Sequence, residues 1–529
     1  MKNEELASAA VLNSSFFIPH SSLQRMSVLK KLASQTAVYG VSSIVGRVLT
    51  YLLVPVYTGV FAAAEYGVVT GLYAYVAFLN VVFTYGMETT FFRFANRPGT
   101  DRRELYDRVM SLLVVSTVAL TALLALLAKP VLALLAIPPG RERYAVWVAL
   151  ILGLDALTAI PFARLRLENR ARRFAGIKLA GIVANVALNL FFIVLCPAVA
   201  GGKWLPGLAP LVARLYDPAV GVGYVFLSNL VASGLTLLLL ARELLDFRFR
   251  LSLAPLRPLL KYAYPLMLMG LAGMVNETLD RILLPRWLPT GFYPGQSNLA
   301  AVGIYGACYK LSIFMSLVIQ AFRYAAEPFF FAQSTDKNSP ATFALIMKWF
   351  TLACAVIFVG ISLNVEDFGA LFLQRAEYRQ GLAVVPVLLL ANLFLGVYYN
   401  LSVWFKLTDK TYYGTYIGAG GAVLTIALNF LLIPVLGYMG CALATLACYF
   451  MMAVLCWRLG ERHFPVPYPA LRLGLWLLGA TALVALGAGV EVAGWWARHA
   501  WHAGLTAAFV AALYVVERPG KPFSGNPNP

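Results

Sequence analysis

The stretch "MVNETLDRILLP" (274–285) places Glu277, Asp280 and Arg281 inside an otherwise apolar run. At helical spacing these positions are i, i+3 and i+4, so the three side chains share one face and can satisfy one another. A face of that kind avoids hydrocarbon and looks instead at a protein interior or a wet cavity. Two further cations lie deep in apolar runs. Arg47 sits about 13 residues into its run, roughly 20 Å in at 1.5 Å per residue, and Lys310 lies at similar depth. A guanidinium offers a fork of parallel donors that suits a phosphate or pyrophosphate oxygen pair. A cavity holding Arg47, Arg281 and Lys310, partly balanced by Glu277 and Asp280, would accept such an anion. The carboxylates could position the arginine, compete with the anion or bind a coupling cation. The alternative is a Glu277–Arg281 and Asp280–Arg281 network that only fixes helix packing. Asp155, mid-span in its own helix, is open to either a structural or a functional reading.

The elements that must hold these groups are membrane helices. Of 529 residues 60% are hydrophobic and only 12% charged, against about 25% charged in soluble domains, and the mean hydropathy is +0.75. A span needs about 20 apolar residues. On that criterion there are about fourteen candidates, at 34–60, 66–92, 109–128, 144–163, 174–196, 220–241, 259–288, 300–324, 341–363, 381–405, 412–434, 437–457, 471–490 and 499–516. The least certain boundary is "KPVLALLAIPPG" (129–140), either the end of the third helix or a re-entrant piece. The net charge of +18 does not imply nucleic acid, because the basic residues form short clusters between apolar runs. They favour alternate gaps: Arg93, Arg97, Arg102, Arg103 and Arg108, then Arg164, Arg166, Arg170, Arg172 and Arg173, then Arg242, Arg248, Arg250 and Arg257. The positive-inside rule then predicts that both termini are cytoplasmic.

Internal repetition is visible at an offset of 239 to 240 residues. "EYG" (65–67) meets "IYG" (304–306), "ETTFF" (88–92) meets "EPFFF" (327–331), Gly181 meets Gly421, and "ALNLFFIVL" (187–195) meets "ALNFLLIPV" (427–435). The offset spans six helices, so the copies run in the same sense, related by an axis along the membrane normal. The expected fold is an all-α polytopic membrane protein: a segment 1–30, an N-lobe 31–241 (helices 1–6), a basic linker 242–258, a C-lobe 259–460 (helices 7–12), and helices 13–14 with a tail in 461–529. Glu88 and Glu327 are expected to pair at helix ends with Arg93 and Arg323, and Asn189 and Asn429 to bond between helices. Six scattered cysteines form no metal or redox spacing. No phosphate-cradling GK[ST] loop and no HExxH motif occurs, so no catalytic residue, metal or cofactor is expected.

The opening "ASQTAVYGVSSIVGRVLTYLLVPVYTGVFAAAEYGVVTGLYAYVAFLNVVFTYGMETTFFRF" (33–94) and the later "ALNFLLIPVLGYMGCALATLACYF" (427–450) resemble the polysaccharide transport branch of the multidrug/oligosaccharidyl-lipid/polysaccharide (MOP) exporter superfamily, the oligosaccharide or O-antigen flippases. The resemblance implies a two-lobed helical fold that alternates access. It implies movement of polyprenyl-pyrophosphate-linked sugars for polysaccharide or lipopolysaccharide biosynthesis, with cationic cavity residues holding the phosphate. It further implies contact with membrane lipids and with polysaccharide polymerase or glycosyltransferase partners, and a Na+ or H+ gradient acting through Glu277, Asp280 or Asp155 is a candidate energy source. A cation-coupled multidrug exporter of the same fold, a peptidoglycan lipid precursor flippase and a membrane glycan polymerase or ligase are the rival readings. The insertion "CPAVAGGKWLPGLAPLVARLYDPAVGVGY" (196–224) departs from the family pattern and is a candidate cover for the outer mouth.

Overall fold

The computed structural model describes residues 44–134, 137–333, 339–490 and 492–517. The expected segment 1–30, the start of the first span at 34–43, the tail 518–529 and the side chain of Glu327 lie outside this set. Eleven described helices are long and apolar enough to cross a membrane, and a bent pair makes a twelfth. Two shorter apolar helices bring the series to fourteen.

In chain order they are α1 (Ile44–Val60), α2 (Ala63–Ala95), α3 (Arg102–Leu126), α4 (Glu142–Leu167), α5 (Ala171–Ala200), α6 (Gly223–Leu239), α7 (Leu253–Trp287), α8 (Asn298–Leu311 with Ile313–Gln333), α9 (Ser339–Leu363), α10 (Val384–Leu407), α11 (Tyr412–Leu436), α12 (Tyr438–His463), α13 (Ala470–Gly489) and α14 (Trp495–Glu517). Each expected span falls on one of them. Of the stretch 129–140, residues 135–136 lie outside the described residues. Pro130 has no N–H to return to residue 126, so α3 stops at Leu126, and a separate short helix, Ala128–Leu134, packs on α4. In α8 the axis turns by 44° between Leu311 and Ile313. There Ser312 Oγ donates to the Tyr309 carbonyl at 2.8 Å, while Asn392 of α10 donates to the same hydroxyl at 3.2 Å. Side chains bonded into a helix ladder are an ordinary cause of such a bend.

Helices α3 to α6 pack chiefly among themselves and against α2, and α7 to α12 chiefly among themselves, with α13 and α14 laid against α9. Between the two groups α2 is the main bridge, running along both α7 and α8. Its approach to α8 is backbone on backbone: a Cβ placed on Gly67 would lie 1.9 Å from the Leu299 carbonyl oxygen, and one on Gly303 1.9 Å from that of Ala63. Only glycine allows this contact. The repeat-related Gly181 and Gly421 have matching tasks, the first admitting Thr236 of α6 against α5, the second Met452 of α12 against α11. The insertion folds back on its own half, where Arg143 donates to the Ala219 carbonyl at 3.0 Å and Tyr144 to that of Val220 at 2.7 Å.

At the end carrying the α1–α2 and α9–α10 turns, the two halves are stitched together. Thr58 donates to the Phe372 carbonyl at 2.9 Å, Tyr378 donates to that of Phe61 at 2.9 Å, and the Ala63 N–H donates to Glu377 at 3.1 Å. At the opposite end Arg93 stacks on Tyr262 of α7, 4.3 Å from the ring centroid, instead of pairing with Glu88. Glu88 pairs with Arg166 of α4, because the α2 segment Met87–Ala95 lies across α4. Asn189 is fully buried and accepts from Tyr57 of α1 at 2.9 Å, the interhelical bond expected of it. Asn429 instead donates to the Thr425 carbonyl of its own helix at 2.8 Å.

Candidate transport cavity

The two halves enclose a cavity of about 390 Å³ bounded by α1, α2, α5, α6, α7 and α8. Its charged lining consists of Glu277 and Arg281 from α7 and Lys310 from α8, two cations against one carboxylate. Tyrosines complete much of the wall: Tyr51 and Tyr57 from α1, Tyr66 and Tyr73 from α2, and Tyr309 from α8. Tyr66 and Tyr73 are seven residues apart, two helical turns, which puts both on one face of α2.

Arg281 is only 12% exposed. Its Nη1 donates to the Glu277 carbonyl oxygen at 3.2 Å, and its guanidinium lies 3.8 Å from the centre of the Tyr309 ring. Its Nη2 is buried with no hydrogen-bond partner. A buried, unpaired guanidinium donor costs free energy that an arriving acceptor would recover. The Glu277–Arg281 side-chain pair open from the spacing is not formed, since the guanidinium turns toward the tyrosine. Asp280 points the other way. It is 3% exposed and accepts from Tyr305 of α8 at 2.5 Å and from the Arg281 N–H at 2.8 Å, with Arg281 Nε at 4.0 Å. Asp280 is therefore part of the α7–α8 contact, and only Glu277 and Arg281 of the triplet line the cavity. Lys310 Nζ stands 5.4 Å from the Tyr51 ring centre.

Arg47 is exposed and outside the lining; Thr50 and Tyr51, one turn further along α1, are in it. Asp155 is brought to a different space, a cavity of about 690 Å³ walled by α2, α4, α5 and α6, with Tyr324 of α8 at its edge. It accepts from Ser233 of α6 at 2.7 Å. Lys178 of α5 and the Glu88–Arg166 pair share that cavity with it. Asn185 and Asn229 line both cavities, which therefore adjoin. Reading charges along single helices finds Arg281 and Lys310 but misses Lys178, Asn185, Asn229 and the tyrosines. Apart from the seven-residue spacing on α2, no local signal marks them, because their meeting depends on helix crossings.

A family model described as "Polysaccharide biosynthesis protein" matches residues 32–334, more than half of the sequence. No curated protein matches it. Among solved structures, the lipid II flippase MurJ in an inward closed conformation is similar with a TM-score of 0.68 at 12% identity, over 90% of this chain and 99% of that one. An inward-facing multidrug resistance MATE family transporter of the MOP superfamily is similar with a TM-score of 0.59 at 12% identity, over 84% and 96%. A point mutant of the Vibrio cholerae MATE transporter VcmN is similar with a TM-score of 0.53 at 14% identity, over 82% and 98%. At these identities the likeness is one of fold, and it spans nearly the whole of each relative. With its described apolar helices in two packed groups around a central cavity, the chain belongs to the polysaccharide biosynthesis protein family and has the fold of the MOP exporter superfamily.

Proposed function

We propose that this protein is a flippase that carries polyprenyl-pyrophosphate-linked oligosaccharide across the cytoplasmic membrane for polysaccharide biosynthesis, with no covalent chemistry. The observation that carries the reading is the buried Arg281 Nη2, unpaired at the wall of a cavity that also holds Lys310. The pyrophosphate seats against Arg281 and Lys310, whose charge-assisted bonds replace its hydration, while the lipid tail stays in the bilayer. Arg47, beyond Tyr51 on α1, receives the head group on its way in. The stitched end formed by Thr58, Phe61, Phe372 and Tyr378 is the outer gate, and parting it while the opposite end closes moves the site between leaflets. In this arrangement the two lobes are 31–241 and 259–460, with both termini cytoplasmic. Coupling to a Na+ or H+ gradient falls to Glu277, the one carboxylate in the lining, with Asp280 holding α7 against α8.

The test uses purified protein in liposomes carrying a fluorescent polyprenyl-pyrophosphate oligosaccharide, with wild type, Arg281→Ala and Arg47→Ala compared for the fraction of label that changes leaflet. Wild type moves the lipid, Arg281→Ala abolishes movement while the protein remains folded, and Arg47→Ala slows it. Export of organic cations by a wild-type protein that moves no lipid would replace this reading with that of a multidrug exporter.

A further inference from the structure

The cavity walled mainly by the α2–α6 half, at about 690 Å³, is larger than the one holding Arg281, at about 390 Å³, and its charges have a different logic. The lining carries Asp155, Glu88, Arg166 and Lys178, two carboxylates and two cations, so it is neutral overall. Glu88 and Arg166 neutralise each other directly. Asp155 and Lys178 do not pair: Asp155 is held by Ser233 of α6, and the Lys178 ammonium rests 5.6 Å from the Phe174 ring centre. An acceptor and a donor thus face one space of about 690 Å³, within the range of small-molecule sites, roughly 300–1,000 Å³.

An anionic ligand there meets Asp155, and a cationic one meets Lys178. A neutral polyol satisfies both, because each hydroxyl can donate to the carboxylate and accept from the ammonium. Asn80, Asn185 and Asn229 also line it; Asn185 Oδ1 already accepts from Asn189 at 2.9 Å and Asn229 Nδ2 donates to Tyr73 at 2.9 Å, so Asn185 offers its donors and Asn229 its acceptor, and the edge-on rings of Phe162 and Phe174, 5.1 Å apart, add apolar surface for C–H faces. Asn185 and Asn229 belong to the walls of both this space and the cavity of Arg281 and Lys310, so the two adjoin.

We propose that the α2–α6 cavity is a carbohydrate subsite that selects uncharged, hydroxyl-rich sugars, with Asp155 and Lys178 as its specificity-determining pair. The proposal rests on the flippase reading and divides the head group in two, pyrophosphate against Arg281 and sugar against Asp155 and Lys178. Asp155, pinned by Ser233, rejects a carboxylated sugar by like-charge repulsion.

The test measures leaflet exchange of two polyprenyl-pyrophosphate lipids in proteoliposomes, one bearing a glucosyl-glucose head and one bearing glucuronyl-glucose. Wild type moves the neutral head about tenfold faster, the effect expected of one charged contact. Asp155→Asn raises movement of the glucuronyl lipid toward that of the neutral one, a gain that misfolding cannot produce. Lys178→Met slows the neutral head, and Lys178→Arg restores it. Equal rates for the two heads in wild type, or an Asp155→Asn variant that slows both alike, would overturn the subsite. Movement of neither head by wild type would instead overturn the flippase reading and take this proposal with it.

Discussion

Replacing Gly67 by alanine tests how the two halves are joined. The new Cβ would sit 1.9 Å from the Leu299 carbonyl oxygen, where ordinary contact begins near 3.4 Å. The obstacle is backbone on both sides, so α2 and α8 must part by about 1.5 Å, a strain of the kind overpacked sites impose. Three hydrogen bonds close the adjoining end: Thr58 to Phe372 at 2.9 Å, Tyr378 to Phe61 at 2.9 Å and Ala63 to Glu377 at 3.1 Å. Stretched by that amount they pass well beyond the limit of a useful bond, about 3.2 Å. At about 1 kcal/mol each their loss shifts the balance toward an open end by about 3 kcal/mol, roughly a hundredfold. The assay exploits the burial of all six native cysteines. A single cysteine replaces Val225 in the cavity wall, and a membrane-impermeant maleimide is added from the gate side. Gly67→Ala should accelerate labelling by up to that factor. Gly71→Ala, one turn along the same helix, is the control, since a Cβ there meets nothing within 4 Å. Equal labelling rates in Gly67→Ala and the parent, with both proteins folded, would refute the claim that this glycine contact sets the gate.

Two further outcomes follow from charges at the helix ends. Glu517, 4% exposed, closes α14 against the rest of the chain by pairing with Lys348 of α9 and with Arg472 of α13 at 2.6 Å, and by accepting from Trp476 at 2.9 Å. Glu517→Gln should destabilise the docking of α13 and α14 by about 3 kcal/mol, the low end for breaking a buried pair, read as faster proteolysis in the 464–469 connection; unchanged cleavage would show that apolar packing alone holds them. Asp246, in the connection after α6, accepts from Arg164 at 2.8 Å and Arg103 at 3.0 Å, and the Arg164 hydrogen bond, followed by the Arg103 charge, holds its carboxyl below the usual carboxylate range. A folded-state value below the unfolded one means that the stabilisation is present above about pH 4 and is lost as pH falls through the folded value. The melting temperature of the wild type should therefore drop faster with acidification than that of Asp246→Asn, and parallel curves would contradict the linkage.

The sequence alone determined the class of fold, because a membrane span is a local property: length, hydropathy and flanking charge are all written within about 20 consecutive residues. Among the described residues eleven or twelve of the expected spans accordingly become helices long enough to cross, two more become shorter apolar helices, and the broken end of α3 needs only Pro130 to explain it. Arg281 and Lys310 were visible for the same reason, as charges too costly to leave in lipid. Tertiary structure decided where such charges point. It turned Asp280 to Tyr305, left Arg47 a turn short of the cavity, gave Glu88 to Arg166 and sent Asp155 to a second space with Lys178. Those choices depend on which helices cross and how closely. The closeness is set by contacts such as Gly67 on Leu299 and Gly303 on Ala63, which join residues more than 200 positions apart and leave no periodic trace in either helix.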